Sequence, residues 1–497
     1  MAPIAPPPPE VEIPPTTITI DNETYPVVEI RSTGDVLLDV SFENTSACNK
    51  SLPADLIRKL KTTKSPIPSP RIFYRVRLDT LKKSSDYFKH LLGPSFAEGA
   101  AVIEAFEKLS KSGLNPTEID AELLPRIKIV DEDVATKTLG REAIFGDMLR
   151  IIHGAEHTTK PIMLNILTVL VVMADRYSVL SLVSRYFQKT FKAYKYPATL
   201  DKKAEEILRQ KILVFYHTEQ SLNFCAATRE LILRGSSRWT GAEESAGDFQ
   251  TAWWDLPDGL EAELAHRRAC VLRTIASIQT QCLTLYSSRD LQCKFGYESS
   301  HACDSFQLGE MIKFLTRKGL LSLIPFQAVS PEDDEYIWPE AYSGDVETLM
   351  GLLRQCPGYQ VNEHHKYCGL RTKLLGPLEY IKSCIEVGVG VSLGRGKDWM
   401  NESWIPSSSP SKSKSSFSPR KAFTVGTTDE EEIFDYATVK NKTSMMGLGG
   451  AKAAKELFTQ KKWNWVMNEE RGGIGFEDVK PTLRPSVNRG FDGGFRR

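Results

Sequence analysis

Two kinds of hydrophobic spacing follow one another in the first half of the chain. Apolar and polar side chains alternate from Phe73 to Leu78, with Phe73 and Arg75 on one side of the chain. A period of two residues predicts a strand. Apolar residues then recur at helical spacing from Leu81 to Leu92, which predicts one helix with a buried face. Such a unit carries no chemistry and is built to pack, which favours an interaction module over an enzyme.

Shifts in pattern and composition divide the rest of the chain. In order, we predict a leader (1–29), a mixed α and β unit (30–195), a helical extension (196–234), a linker (235–259), a mostly helical domain (260–396) and a tail (397–497). The helical domain is predicted from amphipathic stretches near Leu264, Leu308 and Val346. In the linker, Trp253-Trp254 is interpreted as a hydrophobic anchor on a loop, with docking to a partner as the alternative. The predicted fold class is α+β, followed by a mostly α-helical domain.

Both ends of the chain are predicted to be disordered. The leader opens with a proline run as far as Pro15, which excludes a helix and does not fit a signal peptide. The tail begins with a Ser/Pro/Lys tract, residues 407–421, that cannot bury enough apolar surface to fold. It ends in Gly/Arg-rich sequence, so we expect the tail to be largely disordered.

Composition narrows the classes of partner and compartment. Acidic and basic side chains balance, with 63 of each among 497 residues, so nothing demands nucleic acid as a direct partner. The longest apolar run, near residues 166–173, is too short to span a bilayer. Nine cysteines without a secretory signal favour a reducing compartment. We therefore expect a cytoplasmic or nuclear protein.

Residues 30–195 resemble a BTB/POZ domain of the kind found in fungal proteins. The resemblance is carried, in order, by Gly34–Val40, Val76–Leu78 with Leu81, Ser84–Phe88, Phe96–Glu98, Arg126–Asp133, Met148–Gly154 and Leu170–Tyr177. The chain departs from the family at Arg77, where His is common, and at Asp86, where Pro is common. It also carries two insertions, Glu43–Pro70 and Gly99–Pro125.

The resemblance implies a small sheet flanked by helices and a function in protein–protein interaction. The residues expected to be buried are Leu78, Leu81, Phe88, Leu149, Ile152, Leu170 and Tyr177. The protein would be a non-enzymatic adaptor or scaffold that forms a homodimer. In some members such a domain recruits a cullin ubiquitin ligase scaffold, and the helical extension lies where those proteins widen the cullin-binding surface. The alternative is a nuclear, transcription-linked regulator dimerised by the same unit.

Four residues of the helical domain have the types and spacing of a metal site: Cys293, Cys303, His365 and Cys368. His365 and Cys368 are three positions apart, so both can reach one ion from a single turn. Three cysteines and one histidine would make a closed tetrahedral site for one structural zinc. His301 and His364 are alternative ligands.

The alternative to zinc is that these cysteines pack as small hydrophobic residues. We adopt that interpretation for Cys270, Cys282 and Cys384, which lie on apolar helix faces. The family resemblance favours the site, since similar proteins have a cysteine-containing loop before a Leu-Gly helix and a later His-x-x-Cys.

Two further motifs receive plainer interpretations. The glycines from Gly388 to Gly394 lack the Lys-Ser/Thr of a phosphate loop, and we interpret them as a flexible exit from the folded region. Asp304 beside His301 could act as an acid/base pair, but a capped helix start at Asp304 is the preferred interpretation. No catalytic residue is predicted.

Overall fold

The computed structural model describes residues 16–44, 48, 69–160, 162–187, 201–239, 251–293, 300–321, 342–365, 368–394, 398–406, 433–441 and 450–466. Within them the chain forms a mixed α and β unit followed by a mostly helical unit, as predicted. The proline run as far as Pro15 and the Ser/Pro/Lys tract lie outside the described residues. Among the described helices, none is long and apolar enough to cross a membrane.

The first unit is organised around one five-stranded mixed sheet. Its strands are β1 (Thr17–Ile20), β2 (Glu23–Glu29), β3 (Val36–Glu43), β4 (Arg71–Val76) and β5 (Arg126–Glu132). Their order across the sheet is β1-β2-β4-β3-β5. Strands β2 and β4 are parallel, as are β3 and β5, while β3 and β4 are antiparallel. The alternation that begins at Phe73 therefore belongs to a strand in the middle of the sheet.

The prediction of a disordered leader over residues 1–29 is wrong for its second half, which forms β1 and β2. The two strands are joined by a two-residue turn at Asp21 and Asn22, both with positive φ, as hairpin turns with matching twist require. Ile18 and Val27 are buried against Phe73 on the sheet. This apolar contact agrees with the alternation of threonine and isoleucine from Thr17 to Ile20, which the prediction of a disordered leader overlooked.

Helices cover one face of the sheet. They are α1 (Leu78–Ser84), α2 (Asp86–Leu91), α3 (Ala97–Lys111), α4 (Arg141–Ile152), α5 (Leu164–Arg176) and α6 (Leu180–Phe187). The single helix predicted from Leu81 to Leu92 is two helices, because Ser85 is extended and its hydroxyl accepts the Phe88 N–H as the cap of α2. The second insertion is helical in part, since it contains most of α3.

The predicted core of this unit is confirmed. Leu81, Phe88, Leu149, Ile152, Leu170 and Tyr177 are all buried, and Leu78 is half-buried.

Gly34 is fixed by a close approach, since a Cβ there would lie 2.7 Å from the Cγ of Arg75 and 2.9 Å from the Val76 nitrogen. The glycine that precedes the strand is thus a packing requirement of the sheet.

The second unit is helical. Its helices are α7 (Lys202–His217), α8 (Ser221–Arg234), α9 (Leu260–Ser287), α10 (Ser300–Arg317), α11 (Val346–Arg354) and α12 (Leu370–Gly388), followed by α13 (Tyr436–Asn441) and α14 (Gly450–Phe458). The two helices predicted within 201–234 are confirmed as α7 and α8. Val214 of α7 packs into the core of the first unit, so the helical extension joins the two units.

The predicted linker is partly folded. Residues 252–254 form a turn of 3-10 helix, in which Trp253 and Trp254 are buried in the helical core. Ser236 is also buried, against Glu205 of α7. The interpretation of the tryptophans as anchors holds, but they anchor a segment of the core and not an exposed loop.

The predicted disordered tail contributes three segments to the same core. Trp404 is buried, and its backbone N–H donates to the Glu263 carboxylate of α9 at 2.8 Å. Residues 433–435 and 462–464 form a small parallel sheet, β6 and β7, and Phe434 and Trp465 are buried beside it. The prediction fails here because the polar composition of the whole tail outweighed short local patterns, such as the apolar face of α14 with Ala454, Leu457 and Phe458 buried.

The glycines after α12 are not an exit from the fold. Val389 and Val391 are fully buried. Arg267 of α9 donates to the carbonyl oxygens of Val389 and Gly390, at 3.1 and 3.0 Å. A buried guanidinium thus holds this turn, which corrects the interpretation of a flexible segment.

Candidate metal centre

Three separate segments bring the four predicted ligands together. Cys293 follows α9, Cys303 lies in the first turns of α10, His365 ends a 3-10 turn, and Cys368 precedes α12. All four are buried, and their ligand atoms lie within 4.8 Å of one another. The arrangement can hold a metal ion, as the spacing of the residues predicts.

Three of the distances between the ligand atoms are close to those of a tetrahedral site. The sulfur atoms of Cys293 and Cys368 are 3.6 Å apart, and the Nδ1 of His365 lies 3.3 Å from the first and 3.6 Å from the second. With bonds of about 2.3 Å to sulfur and about 2.0 Å to nitrogen, a tetrahedral ion separates such neighbours by roughly 3.5–3.8 Å. All nine cysteines lie in described residues, and none forms a disulfide.

Local backbone hydrogen bonds explain why His365 and Cys368 reach the same point. The His365 N–H donates to the Asn362 carbonyl, and the Cys368 N–H donates to the His365 carbonyl, both at 3.1 Å. The second bond brings the backbone of Cys368 close to that of His365, so both side chains can reach one point.

Asp304 holds the segment that carries Cys293. Its two carboxylate oxygens accept the N–H groups of Gln292 and Cys293, at 2.7 and 3.0 Å. Helix α10 begins at Ser300, four residues before Asp304, so the predicted helix cap at Asp304 is wrong. His301 beside it is exposed, and the buried carboxylate of Asp304 serves the backbone of the ligand loop.

Gln307 and Tyr286 hold the segment that carries the other two ligands. The Gln307 amide donates to the Tyr359 carbonyl at 2.9 Å and accepts the Leu370 N–H at 3.3 Å. The Tyr286 hydroxyl donates to the Cys368 carbonyl at 3.1 Å. These contacts join α9 and α10 to both ends of residues 359–370.

Burial shapes the chemistry of the thiols. It raises the pKa of Cys303 to about 11, with a further contribution from the neighbouring Cys293. Burial and a hydrogen bond with Cys293 raise the pKa of Cys368 as well. A divalent cation among the sulfur atoms would favour the thiolates, because its positive charge would stabilise their negative charge.

The four ligands would fill all four positions around a tetrahedral ion and leave none open for a substrate. The site therefore has the closed form of a structural centre. His301 is exposed and stands outside the cluster, and the side chain of the other alternative ligand, His364, lies outside the described residues. Cys282 and Cys384 are buried in the helical core, as predicted. The sequence did not reveal Asp304, Gln307 or Tyr286 as supporting residues, since nothing in their spacing marks a hydrogen bond to a distant backbone.

A shallow concavity of about 500 Å³ lies beside Trp239 in the helical unit. Two of the carboxylates at its wall already accept internal hydrogen bonds. Asp258 accepts one from the Tyr216 hydroxyl. Glu261 accepts hydrogen bonds from the Arg209 guanidinium and from the Trp239 ring N–H. These two groups serve the fold.

No family model matches the chain, and no curated protein or solved structure matches it either. What the protein does must therefore be inferred from its own residues.

Proposed function

We propose that this protein is a non-enzymatic adaptor or scaffold of the cytoplasm or nucleus. Its first unit is a BTB/POZ-like interaction module, and its second unit is a helical partner-binding domain stabilised by one zinc ion. The observation that carries the zinc ion is the closed set of four buried ligands, which suits a structural ion.

The order of elements in the first unit supports the BTB/POZ-like assignment. The segments that carry the resemblance correspond, in chain order, to β3, the end of β4, α1 with α2, β5, α4 and α5. Helix α7 of the extension packs on α5, so it continues the same helical layer. In the BTB/POZ proteins that the sequence resembles, such an extension widens the surface that binds a cullin.

Self-association and cullin binding test the interaction function. Light scattering of the purified full chain at micromolar concentration should give twice the monomer mass, and the chain should co-precipitate a purified cullin scaffold. A Leu81→Ala variant, with a damaged core in the first unit, should weaken both. Self-association without cullin binding, in a chain concentrated in the nucleus, would favour the transcription-linked alternative. A monomer that binds no cullin and stays out of the nucleus would overturn the proposal.

Elemental analysis tests the zinc. The purified full chain should contain close to one zinc per molecule, because the site has four ligands for one ion. The full chain is needed, since segments after residue 400 belong to the helical core. Cys303→Ser should lose the zinc and melt at a lower temperature, because structural zinc contributes folding energy. The matched control is Cys384→Ser, another buried cysteine, which should keep its zinc. If the wild-type protein contains no zinc, the four residues pack in the core without an ion and the zinc proposal is wrong.

A further inference from the structure

We propose that Asp304 and Gln307 are the positioning residues of the metal site, and that they set its affinity for a thiophilic divalent cation. This inference rests on the metal function proposed above for Cys293, Cys303, His365 and Cys368. It adds that one face of α10 organises all four ligands, although only one of them belongs to that helix.

The positions of three residues on α10 bring these roles together. Cys303, Asp304 and Gln307 are buried, and residues at i and i+3 or i+4 share a helix face. Cys303 contributes a ligand, Asp304 holds the segment before it, and Gln307 holds the segment after it. Within slightly more than one turn, the helix thus contacts every part of the chain that supplies the site.

Asp304 fixes a ligand that has no helix of its own. Cys293 lies beyond the end of α9, and its N–H and that of Gln292 both point to the Asp304 carboxylate. Two acceptor oxygens meet two consecutive donors, which fixes the direction of the backbone at Cys293. Hydrogen bonds from backbone N–H to a carboxylate are about twice as strong as neutral ones. The sulfur of Cys293 is therefore directed toward His365 before any ion is present.

Gln307 does the same for the other ligand segment. Its amide is fully buried, with the oxygen on the Leu370 N–H and the nitrogen on the Tyr359 carbonyl. His365 and Cys368 lie between these two contacts. Both ends of their segment are consequently held at a set distance from Cys303.

Single-atom replacements separate positioning from packing. Asp304→Asn keeps the shape but replaces one acceptor oxygen with an NH₂ group, so a donor faces a backbone donor. Gln307→Glu replaces the amide nitrogen with an oxygen, so an acceptor faces the Tyr359 carbonyl. The control is Asp290→Asn, which removes the same charge from an exposed residue three positions before Cys293.

The test is a titration of the metal-stripped full chain with cobalt(II), followed by the visible absorption of a tetrahedral cobalt–thiolate centre. We expect wild type and Asp290→Asn to bind alike. Asp304→Asn and Gln307→Glu should bind about 10–100-fold more weakly, as outer residues of metal sites do when altered. Their cobalt spectra should also shift, because a displaced ligand changes the geometry around the ion.

The outcomes of the titration are separable. Wild-type protein that takes up no cobalt(II) or zinc would refute the metal function itself. If wild type binds, and folded Asp304→Asn binds with the same affinity and spectrum, the positioning role is refuted. Should Asp304→Asn fail to melt cooperatively, Gln307→Glu decides, and wild-type affinity in that variant overturns the inference.

Discussion

The guanidinium of Arg209 lies 4.8 Å from the centre of the Trp254 ring. It also donates to Glu205 at 2.9 Å and to both carboxylate oxygens of Glu261, at 2.7 and 2.8 Å. The side chain of Arg209 is fully buried. One cation thus joins α7, the start of α9 and the segment that the sequence presents as a linker.

Replacing Arg209 with Met should cost about 3–5 kcal/mol of unfolding free energy, because the buried carboxylate of Glu205 and the partly buried carboxylate of Glu261 lose their cation. Urea denaturation of the full chain measures this. The control is Lys108→Met, since Lys108 pairs with Glu104 on an exposed helix surface and such pairs contribute about 0–1 kcal/mol. Equal effects of the two substitutions would contradict the burial of the Arg209 network.

Leu81→Ala tests the core of the first unit. Leu81 is fully buried between α1 and the sheet, so its truncation should cost about 2–5 kcal/mol. Leu222→Ala is the matched control, because Leu222 is 88% exposed and should change the unfolding midpoint little. An unchanged midpoint for Leu81→Ala would show that this unit is packed differently.

His153 makes the first unit sensitive to mild acid. Its Nδ1–H donates to the Leu149 carbonyl at 2.8 Å, and its Nε2 accepts the Arg77 N–H at 3.1 Å. Both bonds suit the neutral ring, and burial lowers the pKa of His153 below its usual 6.5. The stabilisation is therefore complete above pH 6.5 and is lost as pH falls through the lowered folded pKa.

Urea unfolding at pH 7.5 and pH 5.5 measures this loss. His153→Gln should flatten the pH dependence over that window, because a Gln amide can replace both bonds and does not titrate. His90→Gln replaces an exposed histidine on α2 and should leave the wild-type dependence in place. If the two variants respond alike, the acid sensitivity arises elsewhere.

Asp147 ties the loop after α4 to that helix. Burial alone would raise its pKa, but hydrogen bonds from Thr158 and Thr159 outweigh burial and lower it. The stabilisation is present above the unfolded pKa, near 3.8, and is lost as pH falls through the lower folded value. Asp147→Asn should therefore destabilise the chain at pH 7 and reduce its loss of stability in acid. Full stability of Asp147→Asn at pH 7 would rule this out.

Periodicity predicted the parts of the fold that rest on long regular patterns. The stretch near Leu264 gave α9, and the alternation from Phe73 gave β4, because each buries a continuous face. The break at Ser85 escaped prediction, since a serine within a helical pattern reveals its capping role only when the Phe88 N–H is seen to reach it. Trp404 escaped because a single residue has no period, and Trp465 escaped because its alternation with Trp463 is too short to stand out from the polar tail.

The ligands of the candidate metal centre could be predicted because residue type and local spacing identify them. His365 and Cys368 share a turn, and cysteine and histidine are the residues that zinc selects. The support of the site could not be predicted. In the sequence Asp304 looks like any other helix residue. Its hydrogen bond with the Cys293 N–H depends on the tertiary fold, which brings the two residues together.

The separation of the ligands along the chain has a consequence for the unfolded protein. Cys293 and Cys368 are 75 residues apart, so an ion that stayed on both sulfur atoms would close a large ring in the denatured chain. If the ion restrains the chain as a covalent link does, a ring of that size removes conformational entropy corresponding to about 4–5 kcal/mol. Zinc would then act on the denatured ensemble as well as on the native contacts, and metal-bound chains would unfold to a less expanded state than chains from which the ion has been removed.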